Sequence, residues 1–369
     1  MAEMIYSPGL EGVIAGETAV CTISGGLSYR GYSIDDLCEN ATFEEVAYLL
    51  LENTPPDSSQ LKKFKADLAE NYRLDPQLEE LIRKLPSDIP MMDYMRTAVS
   101  LVAHFDREVG DDSPEASLRK ATRLVAQLPI LLAFYHRLRQ GKEPLEPRAE
   151  DSYAKNLLRL LTGKEPTAAH IKAMDVSLIL YAEHEFNAST FATRIVCSTL
   201  SDLHSAITAG VGTLKGPLHG GANERVMEVL SEVGSSENAP SWVSEALAQK
   251  RRIMGFGHRV YKEGDPRAKI LKAYCVPLAN ETNNQEMETI ADIIEQAVSS
   301  EKGLPPNLDW PSARLYYYMG LPIDIYTPLF VLSRVTGWSA HYLEQQANNR
   351  LIRPRSKYTG KEGLRWPAN

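Results

Sequence analysis

The apolar residues recur with a helical period through most of the chain, and this pattern limits the fold more than any other feature. The ranges Ala121 to Leu138 and Thr167 to Tyr181 are clear examples. A strand pattern is confined to one place, where Ala19 to Ile23 and Leu27 to Tyr32 flank a Ser-Gly-Gly turn. There is no βαβ alternation, no G-x-G-x-x-G after a strand and no Walker loop. The sequence therefore predicts a mostly α fold with one short N-terminal β-hairpin.

Several helix ends can be predicted from capping residues. Thr42 followed by Glu45 has the pattern of a capping box. Asp265, which precedes a proline, predicts the start of another helix. Thr327 also precedes a proline and predicts a helix start, and Gly337 predicts the end of that same helix.

Length, charge and cysteine content exclude several classes of protein. A chain of 369 residues exceeds the usual size of a single core, so we expect two domains. A net charge of -8 disfavours binding to nucleic acid or to an anionic membrane. The longest apolar stretch, residues 128–134, is too short to cross a bilayer, and the first residues lack a secretory signal. Since the four cysteines have no metal or redox spacing, we expect a soluble cytoplasmic protein.

A glycine-rich segment, residues 216–224, contains His219 just before a predicted helix. A helix N-terminus disfavours a positive charge, so the imidazole is expected to be neutral and able to donate a hydrogen bond to an enolate. From this segment alone, a histidine that merely caps a glycine-rich turn is an equal alternative.

Two further segments contain candidate acid–base groups. His258 follows closely spaced glycines, and Arg267 falls on the first turn of the helix predicted after Asp265. Asp309 is set among apolar and proline residues, where partial desolvation would raise its pKa and make it a better base. The alternatives are an exposed basic loop for His258 and a helix N-cap for Asp309.

Arginine and histidine side chains elsewhere could bind carboxylates. Arg334 and Arg353 offer the bidentate geometry that carboxylates accept, although either could lie on a solvated face. His184 lies in a polar segment, residues 181–189, which could instead form a buried hydrogen-bonded network.

Taken together, the segments resemble citrate synthases over nearly the whole chain. The matching motifs, in chain order, are GLEGVIAGET, LSYRGYSIDDL, AEHEFNAST, GPLHGGANE, MGFGHRVYKEGDPRAK, PPNLDW, TPLFVLSRVTGW and NNRLIRPRSKY. So many motifs in the family's order favour the functional interpretation over the separate alternatives.

The resemblance implies a role for each candidate residue. His219 corresponds to the histidine that binds the acetyl-CoA carbonyl, Asp309 to the base, and His258 to the histidine that protonates the oxaloacetate carbonyl. The implied oxaloacetate ligands are His184, Arg267, Arg334 and Arg353, the last reaching the partner subunit's site. The implied coenzyme A contacts are Met254, Gly255, Phe256, Gly257 and Asn307.

The resemblance also implies an architecture and an activity. The expected fold is two-domain and helical, with a large domain in residues 1–220 and 320–369 and a small domain in residues 221–319. The expected reaction condenses acetyl-CoA, oxaloacetate and water to citrate and CoA, at the entry to the tricarboxylic acid cycle, without a metal or another cofactor. The expected assembly is a homodimer or a higher homo-oligomer. Alternatives are a 2-methylcitrate synthase that uses propionyl-CoA and, from another class, a non-catalytic dicarboxylate or CoA sensor.

Overall fold

The structure is a computed structural model that describes residues 6–258, 260–261 and 263–366. Sixteen α-helices occupy most of these residues, so the predicted mostly α fold is confirmed. In chain order the helices are α1 (Ile34–Asn40), α2 (Phe43–Glu52), α3 (Ser58–Glu70), α4 (Pro76–Arg83), α5 (Met91–Val102), α6 (Pro114–Arg139), α7 (Tyr153–Thr162), α8 (Ala168–Tyr181), α9 (Ala188–Ser198), α10 (Leu203–Leu214), α11 (Ala222–Val233), α12 (Ala239–Ala248), α13 (Pro266–Glu281), α14 (Gln285–Lys302), α15 (Asp309–Tyr318) and α16 (Tyr326–Ala347).

Capping side chains begin many of these helices, as the sequence predicts for two of them. At the start of α2 the Thr42 side chain accepts from the Glu45 N–H, and the Glu45 carboxylate accepts from the Thr42 N–H at 2.7 Å. At the start of α13 the Asp265 carboxylate accepts from the Arg267 N–H at 3.1 Å. All three bonds satisfy backbone donors that have no partner within the helix.

The N-terminal β-structure is a sheet of three short antiparallel strands, β1 (Cys21–Thr22), β2 (Ser28–Tyr29) and β3 (Tyr32–Ser33). The predicted hairpin corresponds to β1 and β2, with Cys21 opposite Tyr29. The prediction of one strand from Leu27 to Tyr32 is wrong. Arg30 and Gly31 adopt positive φ angles of 49° and 89°, and this turn reverses the chain into β3.

Both predicted ends of α16 are wrong. The helix begins at Tyr326, and the Thr327 hydroxyl donates to the Glu224 carboxylate instead of capping a helix. The helix also continues through Gly337 to Ala347. A Cβ atom at Gly337 would collide with the Glu183 carboxylate and the Ala182 carbonyl. The glycine therefore permits a close approach between α16 and the end of α8, and does not end a helix.

Helix α16 lies at the centre of the larger group of helices. It is buried along most of its length and packs against α2, α6, α8, α9 and α10. Helices α11 to α15 pack on one another, with α15 between α11 and α13 and with α12 against α14. The predicted domain boundaries, at residues 220 and 319, stay a prediction.

No α-helix in the described part of the chain combines the length and hydropathy needed to cross a bilayer.

We predict that Gly337→Ala lowers the free energy of unfolding by about 3 kcal/mol, because the added methyl group meets a carboxylate and a backbone carbonyl. Urea unfolding followed by circular dichroism measures the change. Ser300→Ala, on the exposed face of α14, is the control and should stay within about 0.5 kcal/mol of the unaltered protein. Equal stability of the two variants would show that the close approach of α16 to α8 is wrong.

Candidate active site

Three of the predicted segments meet around the ring of Phe330 on α16. The Phe330 ring centroid lies 4.6 Å from the Tyr181 ring centroid and 6.3 Å from the His219 ring centroid. The guanidinium carbon of Arg334 lies 4.6 Å from the same ring centroid. The structure therefore brings together side chains from the end of α8, from the turn before α11 and from the middle of α16.

Asp309 is the first residue of α15, and its side chain is not the N-cap of that helix. The Tyr181 hydroxyl donates to Asp309 Oδ1 at 2.8 Å, and the Asn307 side-chain oxygen accepts from the Asp309 N–H at 3.0 Å. Burial raises the pKa of Asp309, and the hydrogen bond from Tyr181 opposes this shift without cancelling it. A carboxylate of raised pKa is a stronger base than an exposed aspartate.

His219 lies in the turn that precedes α11, and its ring is neutral. Ser189 contacts His219 Nε2 through its backbone N–H, at 3.2 Å, and through its hydroxyl, at 2.7 Å. A backbone N–H only donates, so Nε2 accepts and the ring proton is on Nδ1. Burial and then the charge of Arg334 lower the pKa of His219 to about 4. The expected neutrality thus has two causes beyond the helix N-terminus invoked from the sequence.

His258 and Arg267 present N–H groups toward each other. The backbone N–H groups of Val260 and Tyr261 donate to His258 Nδ1 at 3.1 and 3.2 Å, which places the proton of a neutral ring on Nε2. Arg267 Nη2 lies 3.5 Å from that Nε2. Two donors this close together can share one acceptor, such as the oxygen of a bound carboxylate or ketone.

Asp265 holds the Arg267 guanidinium in a two-point ion pair. The Nε and Nη2 atoms donate to the two carboxylate oxygens at 3.0 and 2.8 Å. Burial opposes the charge of Arg267, and Asp265 outweighs burial, so the pKa of Arg267 is raised. Asp265 also accepts from the Leu308 N–H at 3.1 Å, which ties the start of α13 to the residue before Asp309. The sequence predicted Asp265 only as a helix cap.

Arg334 is buried on α16 and has an unused donor. Its Nε donates to the Tyr181 carbonyl at 2.8 Å, while its Nη1 finds no hydrogen-bond partner among the described residues. Burial lowers the pKa of Arg334, and the nearby Glu183 carboxylate opposes this shift. A buried N–H without an acceptor is costly, and a carboxylate ligand would satisfy it.

His184 is close to both buried arginines. The Tyr261 hydroxyl lies 3.1 Å from His184 Nε2, and the ring centroids of His184 and His258 are 5.3 Å apart. Burial, followed by the charges of Arg267 and Arg334, holds the pKa of His184 well below its ordinary value. A neutral His184 is therefore available as a hydrogen-bonding ligand.

A buried chain of hydrogen-bonded polar groups, Glu183, His341 and Arg194, begins at the backbone N–H of His184. Glu183 Oε1 accepts from the His184 N–H at 2.7 Å and lies 3.1 Å from His341 Nε2. Arg194 Nη1 lies 3.0 Å from His341 Nδ1. Because arginine only donates, His341 Nδ1 accepts, and a neutral His341 donates from Nε2 to Glu183. This network is the alternative considered for the segment around His184, and here it accompanies the candidate site.

The predicted coenzyme A loop is fastened to the segment that leads into α15. Gly257 donates from its backbone N–H to the Pro305 carbonyl at 2.8 Å, and Asn307 does the same to the Gly255 carbonyl at 2.9 Å. Gly255 has a φ of 91°, and a Cβ there would lie 2.8 Å from the Trp310 ring. The loop from Met254 to Gly257 thus lies directly beside the segment that contains Asp309, and its role in binding coenzyme A stays a prediction.

Arg353 is not brought into this group of residues within the single chain. It is exposed in the segment after α16, which is held where the Ile352 N–H donates to the Ser198 hydroxyl at 3.1 Å. Its predicted role in the partner subunit's site stays a prediction.

The sequence analysis missed several residues that complete the site. Ser189 fixes the tautomer of His219. The Phe330 ring lies among Tyr181, His219 and Arg334. Tyr181 forms hydrogen bonds with both Asp309 and Arg334. Ser189 and Tyr181 both lie in the polar segment around His184, and that concentration of polar groups was the available signal. Within the described residues, no group of three or more His, Cys, Asp or Glu side chains is arranged to hold a metal ion.

Comparison with known proteins identifies the class. The family model described as "Citrate synthase, C-terminal domain" matches residues 9–355. Citrate synthase 2 of Bacillus subtilis is 47% identical over 97% of both chains. The 2-methylcitrate synthase of Shewanella oneidensis is 42% identical over 97% of this chain and 96% of its own.

Solved structures agree with this comparison. The citrate synthase of Pyrobaculum aerophilum covers 99% of this chain and 97% of its own, with a TM-score of 0.91 and 36% identity. The ternary complex of carboxymethyl coenzyme A and oxaloacetate with the citrate synthase of Thermoplasma acidophilum covers 99% of this chain and 98% of its own. Its TM-score is 0.92 at 35% identity.

The helical fold and these relatives define an acyltransferase that converts an acyl group into an alkyl group on transfer. The chain belongs to the citrate synthase family.

Proposed function

We propose that the chain condenses acetyl-CoA with oxaloacetate and water to give citrate and CoA, at the entry to the tricarboxylic acid cycle. The observation that carries this proposal is the meeting of a buried base, a neutral imidazole donor and buried arginines around Phe330 and Tyr181. A non-catalytic sensor would not need a desolvated carboxylate and a histidine of fixed tautomer that are linked through Tyr181 and Phe330.

The first step is proton removal from the acyl methyl group. Asp309 takes the proton, and the Nδ1–H of His219 donates a hydrogen bond to the enol or enolate oxygen that forms on the thioester. Donors held in this way are worth about 10²–10³-fold in rate. The pKa of His219, which is lowered to about 4, supports a neutral donor at physiological pH.

The second step forms the carbon–carbon bond. The nucleophilic methylene carbon attacks the ketone carbon of oxaloacetate, and the Nε2–H of His258 gives a proton to the new alkoxide. Water then hydrolyses the citryl thioester and releases CoA. Arg267 and Arg334 bind the carboxylates of oxaloacetate, because buried guanidinium groups require negative partners. His184 supplies a further hydrogen bond.

Propionyl-CoA is the alternative acyl donor. Relatives named 2-methylcitrate synthase match nearly the whole chain at 42–44% identity, close to the 44–47% of two relatives named citrate synthase. A further relative named citrate synthase is 43% identical, so the identities of the two kinds of relative overlap and the thiol-release assay below assigns the donor. Neither donor requires a metal or another cofactor, because the thioester itself acidifies the reacting carbon.

We also propose a cytoplasmic homodimer, or a larger assembly of dimers, in which Arg353 completes the partner subunit's site. The exposed position of Arg353 and the large apolar side chains exposed at both ends of the chain support this assembly. These side chains are Tyr6, Ile14, Leu351, Tyr358, Leu364 and Trp366. In the proposed assembly these side chains would be covered by the partner subunit.

We predict thiol release from acetyl-CoA that depends on oxaloacetate and exceeds the release from propionyl-CoA at saturating oxaloacetate. Asp309→Asn should lower turnover by at least about 10²-fold, since the amide cannot take a proton. Calorimetry should still detect oxaloacetate binding, because the arginines are unchanged. Asp324→Asn, which alters an exposed carboxylate, is the control and should keep its activity.

Near-normal turnover by Asp309→Asn would contradict the assignment of Asp309 as the base. A faster reaction with propionyl-CoA would instead favour the 2-methylcitrate alternative, and thiol release from neither donor would favour a sensor.

We predict that Arg353→Ala and Asp309→Ala are each inactive alone and active when mixed. In a mixed dimer, one site combines an intact Asp309 from one subunit with an intact Arg353 from the other. Random exchange in equal amounts should restore roughly a quarter of the wild-type activity, since half the dimers are mixed and each has one working site. Activity is measured by thiol release and subunit mixing by native mass spectrometry. Mixed dimers without activity would indicate that Arg353 acts in its own subunit.

A further inference from the structure

We propose that Tyr181 is a positioning residue for the base, and that its hydroxyl determines which oxygen of Asp309 accepts the proton. This inference rests on the proposed function, in which Asp309 is the base. Tyr181 is the last residue of α8 and lies far from Asp309 in the sequence, so that only the fold brings the two together.

The hydrogen bonds around the Tyr181 hydroxyl fix its direction. The oxygen lies 2.8 Å from Asp309 Oδ1 and 2.8 Å from Ser312 Oγ. An ionised carboxylate only accepts, so the single hydroxyl proton of Tyr181 is donated to Asp309. The Ser312 hydroxyl can then donate to the Tyr181 oxygen, at 2.8 Å, or to the Asp309 carbonyl, at 3.3 Å. Asp309 Oδ1 is therefore held by the buried Tyr181 side chain, whose hydroxyl also forms a hydrogen bond with Ser312.

The second carboxylate oxygen has the opposite surroundings. In the described part of the chain, Asp309 Oδ2 accepts no hydrogen bond, whereas Oδ1 accepts the one from Tyr181. A hydrogen bond lowers the basicity of the oxygen that accepts it, so Oδ2 is the oxygen that takes the proton from the acyl carbon. Tyr181 thereby restricts rotation of the carboxylate and presents Oδ2.

The same residue also positions the other substrate. The Tyr181 carbonyl accepts from Arg334 Nε at 2.8 Å, and the Tyr181 ring packs on Phe330 at 4.6 Å between centroids. Tyr181 therefore binds the base through its side chain and a carboxylate-binding arginine through its backbone. A single residue at the end of α8 therefore contacts both the proposed base and a proposed oxaloacetate ligand.

Other charged or titratable groups also face Asp309 and must be kept constant in a test. Arg267 and Asp265 at the start of α13 act on it with opposite signs, and Tyr316 on α15 lies close to it. A change from tyrosine to phenylalanine at position 181 keeps the ring, the backbone carbonyl and all of these groups.

The test is the pH dependence of kcat for Tyr181→Phe. The hydroxyl stabilises the ionised carboxylate, so its loss should raise the pKa of the base and move the acid limb of the profile up by about one pH unit. The isotope effect with acyl-CoA deuterated at the reacting carbon should also increase, because proton removal becomes slower. Oxaloacetate affinity by calorimetry should stay within about twofold, since the backbone contact with Arg334 is retained.

Tyr316→Phe is the matched control, because it removes a buried hydroxyl that bonds Ser177 at 2.7 Å and makes no hydrogen bond to Asp309. Its acid limb should coincide with that of the unaltered enzyme. The inference would be overturned if the folded Tyr181→Phe variant had the same acid limb in its kcat profile as the unaltered enzyme. It would also be overturned if Tyr181→Phe and Tyr316→Phe shifted the acid limb equally. Thiol release from neither acyl-CoA donor would contradict the proposed function, and near-normal turnover of Asp309→Asn would contradict the assignment of the base. Both outcomes are separate from the position of the acid limb.

Discussion

The buried guanidinium group of Arg334 is the constraint on which the rest of the site depends. It lies on the most central helix, bonds the Tyr181 carbonyl and has an Nη1 donor without an acceptor in the described residues. Burial is the main cause that lowers the pKa of His219 and of His184, and the charge of Arg334 adds to both shifts. The approach of α16 to Glu183, which Gly337 permits, supplies the nearby negative charge that makes this burial tolerable.

Burial shifts the pKa of the proposed base, Asp309, and the pKa of the proposed hydrogen-bond donor, His219, in opposite directions. It raises the pKa of Asp309 and lowers the pKa of His219 to about 4, so each shift favours the neutral form of its group. The raised pKa makes Asp309 a stronger base, while the lowered pKa keeps His219 a neutral hydrogen-bond donor. Burial therefore prepares both groups for the proposed enolisation.

The sequence predicted the helical class and the capping box at Thr42, because these depend on local patterns, and its motifs supplied the candidate site residues. It failed where distant contacts decide the structure. Thr327 bonds Glu224 instead of capping a helix, and Gly337 meets Glu183 in mid-helix. A positive φ at Arg30 produces a third strand that no propensity indicated.

Local sequence patterns also could not predict the residues that support the site. Ser189 contacts His219 across 30 positions, and Tyr181 contacts Asp309 across 128. Such pairings arise only when the helices pack, although the resemblance to citrate synthases located the groups that they support. The identity of the acyl donor depends on the shape of a pocket around the reacting carbon, and motifs shared by both kinds of relative cannot determine that shape.

The most direct test of a neutral donor in a desolvated site is nitrogen NMR of the histidines in the ligand-free protein. We expect His219 to keep its proton on Nδ1 and to stay neutral from about pH 8 to about pH 5. It should become charged only toward its lowered pKa of about 4. A His219 ring that titrates near its ordinary value of roughly 6.5, or that has its proton on Nε2, would contradict the account.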